Sequence, residues 1–93
     1  MVREIIWLEK FVDKIEAKHG VTIDEVEEVL DGKEKVWRVA RGNVKGEDVY
    51  LALGQTIAGR YLSVFYILKR DGSVLPISAR DMDDKERKRY GRK

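Results

Sequence analysis

Residues Arg60–Tyr90, RYLSVFYILKRDGSVLPISARDMDDKERKRY, decide how this chain is read. Arg60–Lys69 is apolar at nearly every position, which suits an interior strand covered on both faces. Asp71-Gly72 then fits a two-residue type I′ hairpin loop, in which both central residues take positive φ. A second strand follows over Ser73–Arg80. With that loop setting the register, Leu68 faces Leu75, Tyr66 faces Ile77, Val64 faces Ala79, Phe65 faces Ser78 and Ser63 faces Arg80. The first three pairs form an apolar core face, and the opposite face carries Ser63, Phe65, Ser78 and Arg80. Pro76 lacks an N–H, so its strand is expected to be an edge or to carry a bulge there. Asp83 with Glu86 three residues on then opens a basic helix running to about Tyr90.

Upstream, Val2–Trp7 is a short β-prone run. Leu8, Phe11, Val12 and Ile15 share one helical face over Leu8–Lys18, and Gly20 is placed to end that helix as a left-handed cap. Thr22 and Glu25 form a capping box for a second helix, whose apolar face is Ile23, Val26, Val29 and Leu30 and which Gly32 stops. Strands are expected over Val36–Arg41 and Asp48–Gly54, joined by a polar turn around Gly42–Gly46. The order β-α-α-β-β-β-β-α describes an α+β domain over residues 1–93: an antiparallel sheet, an N-terminal helical hairpin on one face and a C-terminal helix.

Composition narrows the chemistry. The 93 residues suit one modest core, and no stretch approaches the length of a membrane span. The N-terminus carries no signal-peptide pattern, and a cytoplasmic protein without membrane association is expected. Cysteine is absent, which excludes disulfides and thiolate metal sites, and a lone histidine makes no zinc site. No metal or cofactor is expected. Charge is uneven: residues 1–31 hold nine acids against four bases, residues 32–79 four against eight, and residues 80–93 four against seven. An acidic helical side and a basic sheet-and-tail side give one polyanion-facing surface. Charged residues make up 39% of the chain, while Asn43 and Gln55 are its only side-chain amides, a thermophile-like bias.

Phosphate-cradling glycine loops, G-x-S-x-G and H-E-x-x-H are all missing. What remains is His19 beside Lys18, the arginines Arg60 and Arg80, Tyr90 and scattered surface bases. Such a set suits RNA cleavage, in which the 2′-OH is the internal nucleophile and the protein supplies proton transfer and cations. His19 has two readings, proton transfer or simple interaction with the helix C-terminus. Tyr90 likewise stacks on a base or anchors its helix, and Trp7 and Trp37 read as packing residues.

Lys18-His19-Gly20-Val21, Gly59-Arg60-Tyr61-Leu62, Val64-Phe65-Tyr66, Ile77-Ser78-Ala79-Arg80 and Glu86-Arg87-Lys88-Arg89-Tyr90 together resemble the BrnT-type toxins of toxin–antitoxin systems. The resemblance spans nearly the whole chain. It implies a RelE-like fold, ribonuclease activity that arrests translation, and neutralisation by a DNA-binding antitoxin covering the basic face. On that reading Arg80 and Arg60 hold the phosphate, His19 or Lys18 assists proton transfer, and Phe65, Ser78, Arg87 and Tyr90 contact RNA. Leu8, Phe11 and Ile15 stand where familiar members carry polar residues, and Glu47-Asp48 replaces a Glu-Arg pair. A non-catalytic RNA- or protein-binding module of the same fold, or a purely structural interaction domain, is the alternative.

Overall fold

A computed structural model describes residues 4–42 and 45–92. The order is the one expected: an extended N-terminal segment, helices α1 (Glu9–His19) and α2 (Ile23–Asp31), strands β1 (Lys35–Ala40), β2 (Val49–Gln55), β3 (Tyr61–Leu68) and β4 (Val74–Asp81), and helix α3 (Asp84–Gly91). The strands form one antiparallel sheet in the order β1-β2-β3-β4. The N-terminal run meets the sheet as a single parallel bridge, Ile5 to Val74, flanked by Ile6 N–H donating to Val74 O and Val74 N–H to Glu4 O. The start of the expected Val2–Trp7 strand and the middle of the Gly42–Gly46 turn lie outside the described residues.

Local signals set the helices. Gly20 caps α1 in the left-handed region, its N–H donating to Glu16 O. Thr22 and Glu25 form both bonds of a capping box on α2, and Asp83 and Glu86 do the same for α3. Ile15, Val21, Val26 and Val29 bury against Ala52, Leu62, Val64, Tyr66, Val74 and Ala79, so α1 and α2 cover one face of the sheet. Gly54 permits the close approach of α2: a Cβ there would stand 2.8 Å from Val29 Cγ1. With only hydrogen at that position, the helix settles directly on β2.

The β3–β4 hairpin departs from its expected register in two compensating ways. Lys69 N–H donates to Ser73 O and Gly72 N–H to Lys69 O, so the loop is Arg70-Asp71-Gly72, one residue longer than expected. Gly72 alone of these has positive φ, at 91°, which rules out the type I′ form and matches a three-residue loop closed by a left-handed glycine. Asp71 stabilises it by accepting from Ser73 N–H and Ser73 Oγ–H. Near the turn the pairs are therefore Leu68–Val74, Ile67–Leu75 and Tyr66–Pro76, in place of Leu68–Leu75 and Tyr66–Ile77. A bulge at Ile77 takes up the slip, and Phe65–Ser78, Val64–Ala79 and Ser63–Arg80 pair as expected. Pro76 thus lies beside the bulge on an edge strand, where a missing N–H breaks no ladder.

The second face of the sheet is not left open. Helix α3 lies across it although it buries no residue of its own. Arg87 stacks on the Tyr61 ring at 3.6 Å and Arg89 on the Trp37 ring at 3.7 Å, while Tyr90 meets Tyr61 edge-on. The guanidinium planes and long aliphatic stems let so polar a helix dock. Leu53 and Ser63, paired across β2 and β3, are fully buried.

Candidate functional site

Arg80 leaves the end of β4 on the α3 side. Its Nη1 and Nη2 donate to the two carboxylate oxygens of Glu86 at 2.6 and 2.8 Å, and Nη1 also reaches Asp81 O. The Phe65 ring lies 5.5 Å from the guanidinium carbon. Glu86 Oε1 further accepts from Ser63 Oγ–H at 2.8 Å and from Asp83 N–H at 3.0 Å. The hydrogen bond to Glu86, against the opposing effect of burial, raises the Arg80 pKa. Burial pushes the Glu86 carboxyl up, but the bonds from Arg80, Asp83 N–H and Ser63 outweigh it and hold it below its ordinary value. Arg80 and Glu86 thus both stay charged at neutral pH.

Guanidinium chemistry distinguishes the two hairpin arginines. Five N–H groups are available to each. In Arg60, Nε and Nη2 grip Asp81 at 2.8 and 3.2 Å, Nη2 also donates to His19 O, and Nη1 donates to Gly20 O and to Glu25. Every Arg60 donor is engaged. In Arg80 the Nη1–Nη2 end is held by Glu86, and the Nε–Nη2 edge has no protein acceptor among the described residues. That edge presents two parallel donors, the spacing that matches two phosphate oxygens. The Arg80 side chain keeps 32% of its surface exposed and Glu86 only 13%.

The expected site residues fall into two groups at one end of the sheet. Arg80, Phe65, Ser78, Arg87 and Tyr90 belong to the α3 side, where Phe65 and Ser78 are half-buried and Arg87 and Tyr90 pack on Tyr61. Arg60, His19 and Lys18 belong to the α1–α2 side, because Asp81, next to Arg80, points the other way. There Arg60 fastens the α1 C-terminus, the α2 capping box and the end of β4. His19 and Lys18 are exposed beside it, and the Asp81 carboxyl is lowered by its hydrogen bond from Arg60, with a smaller contribution from His19. Sequence reasoning saw Glu86 only as a helix cap and offered Asp48 or Asp81 as the acid that pairs with Arg80, whereas Arg80 pairs with Glu86 and Asp81 with Arg60. The signal for Glu86 was its spacing of six from Arg80 across a tight strand-to-helix corner. Among the described residues, no helix is long and apolar enough to cross a membrane.

Comparison with known proteins agrees with this architecture. The crystal structure of the Brucella abortus ribonuclease toxin BrnT superposes with a TM-score of 0.65 at 24% identity, covering 89% of this chain and 100% of that one. At that identity it speaks for the fold. No curated protein matches. A family model described as the ribonuclease toxin BrnT of type II toxin–antitoxin systems matches residues 7–86, which take in α1, α2, the whole sheet, Arg80 and Glu86. The chain belongs to the BrnT family of ribonuclease toxins.

Proposed function

We propose that the protein is the toxin of a type II pair, a metal-independent endoribonuclease whose cleavage of RNA arrests translation in the cytoplasm. The observation that carries the residue assignment is the partly exposed Arg80 guanidinium beside Phe65, whose Nε has no acceptor among the described residues and whose Nη2 is engaged by Glu86 alone. In this reading the RNA 2′-oxygen attacks the adjacent phosphorus and the bond to the 5′-oxygen breaks, leaving a 2′,3′-cyclic phosphate and a 5′-OH. Arg80 stabilises the extra negative charge on the phosphate oxygens during that step. Phe65 and Tyr90 offer rings to bases, Ser78 and Arg87 contact the backbone, His19 or Lys18 at the same end of the sheet takes the 2′-OH proton directly or through a water, and solvent water protonates the departing 5′-oxygen. Arg60, with every donor engaged, contributes by fixing the α1 terminus that carries His19.

A cognate DNA-binding antitoxin silences the enzyme by covering Arg80 and the α3 face. The pairing of both hairpin arginines with carboxylates favours a second reading, a binding module without turnover. Incubating purified protein with RNA in EDTA separates them: cleavage leaving cyclic-phosphate ends is expected, and intact RNA bound with a steep salt dependence would establish the second reading.

A further inference from the structure

We infer that Glu86 is a positioning residue for Arg80, so that the docking of helix α3 and the aim of the Arg80 donor edge are one event. The inference rests on the ribonuclease reading and deepens it. A lone arginine on a strand has many rotamers, and its fork faces phosphate in few of them. Glu86 removes that freedom by taking both Nη groups in a bidentate clasp, which fixes the guanidinium plane and leaves Nε and the second Nη2 hydrogen without an acceptor among the described residues. The carboxylate is itself held from two further directions. Ser63, fully buried in β3, donates to Oε1, and Asp83 N–H donates to the same oxygen. The latter bond is half of the α3 capping box, whose other half runs from Glu86 N–H to Asp83 Oδ1 at 2.8 Å. One carboxylate therefore closes the first turn of α3, ties that turn to the centre of the sheet and sets the plane of Arg80. Without α3 in place, Arg80 keeps its charge but not its direction, and catalysis depends on direction.

Glu86→Gln and Asp83→Ala separate positioning from capping. Glutamine keeps the length and an acceptor but loses the charge and the two-oxygen clasp, whereas Asp83→Ala loosens the cap and leaves Glu86 on Arg80. In RNA cleavage, Glu86→Gln is expected to lower kcat by about 100-fold with little change in KM. It should add nothing to Arg80→Ala, because both remove the same oriented group. Asp83→Ala should keep kcat within about threefold while the melting temperature falls by about 4–8 °C. NMR supplies a readout apart from activity: the Arg80 Nη signals should be resolved by hindered rotation in the wild type and averaged in Glu86→Gln. If Glu86→Gln does not fold, Glu86→Asp takes its place, keeping the charge but withdrawing it by one methylene, with the same direction of effect. Wild-type kcat in a folded Glu86 variant overturns the inference and leaves the ribonuclease reading standing. Equal losses of kcat in the Glu86 and Asp83 variants reduce Glu86 to a cap and also overturn it. A wild-type protein that cleaves no RNA removes both.

Discussion

Ser63 and Arg80 face each other across β3 and β4 and share one acceptor, the Oε1 atom of Glu86. A buried hydroxyl and a partly exposed guanidinium therefore converge on a carboxylate from the next helix. The residue best placed to meet phosphate is also the residue that joins sheet to helix, so stability and activity have to be measured side by side.

Arg60 illustrates the opposite case. All its donors are engaged within the protein, so its removal strands Asp81, Glu25 and two helix-terminal carbonyls near the surface. Arg60→Ala is expected to cost about 1–2 kcal/mol in denaturant titration, discounted for partial solvent access. Arg60→Lys should recover less than half of that, because an ammonium cannot grip Asp81 and reach two carbonyls together. Both variants should bind RNA with unchanged affinity, and a large loss of affinity without loss of stability would place Arg60 on the ligand.

Acid stability follows from the lowered carboxyls, Asp71, Asp81 and Glu86. All three have folded pKa values below their unfolded ones. A depressed pKa contributes stability that is fully present above the unfolded value, about 4, and is lost as pH falls through the folded value. The melting temperature should therefore be flat from neutrality to about pH 5 and drop below about pH 4. In Glu86→Gln the drop should be shallower, since that proton-linked contribution is gone. An identical acid slope in wild type and variant would show that the Glu86 carboxylate gains nothing on folding.

The hairpin turn offers a third test. Gly72 sits at φ 91° with open space around it, so the obstacle to a side chain is backbone conformation rather than crowding. Gly72→Val is expected to destabilise by about 1–2 kcal/mol. Asp71→Ala should lower the melting temperature less than Gly72→Val does, through the lost bonds to Ser73. An unchanged melting temperature in Gly72→Val would mean that the loop rearranges freely.

Much of the fold was legible because its signals are local. Thr22 with Glu25, Asp83 with Glu86, and Gly20 after the α1 stripe each announce a helix boundary within four residues. The hairpin register was less so. Asp-Gly serves equally a two-residue loop and the end of a three-residue one, and only the bulge at Ile77 reveals which has formed. Pro76 hinted at that bulge without giving its position. The site was legible in its members but not in its division. Alternation along β4 puts Arg80 and Asp81 on opposite faces, yet which partner each finds depends on how α1, α2 and α3 pack around the sheet end. Pairing across such distances in the chain leaves no short-range pattern, and so the saturation of Arg60 and the clasp of Glu86 on Arg80 emerge only in three dimensions.

The most direct test of the account is the RNA-cleavage rate of Arg80→Lys, measured beside its melting temperature. Lysine keeps the charge and an ion pair with Glu86 but has no second edge of parallel donors. Turnover is expected to fall by about 100-fold or more, as it does when a preorganised charge donor is lost, while the protein stays folded. Wild-type turnover in folded Arg80→Lys would contradict the assignment of the Arg80 donor edge to phosphate.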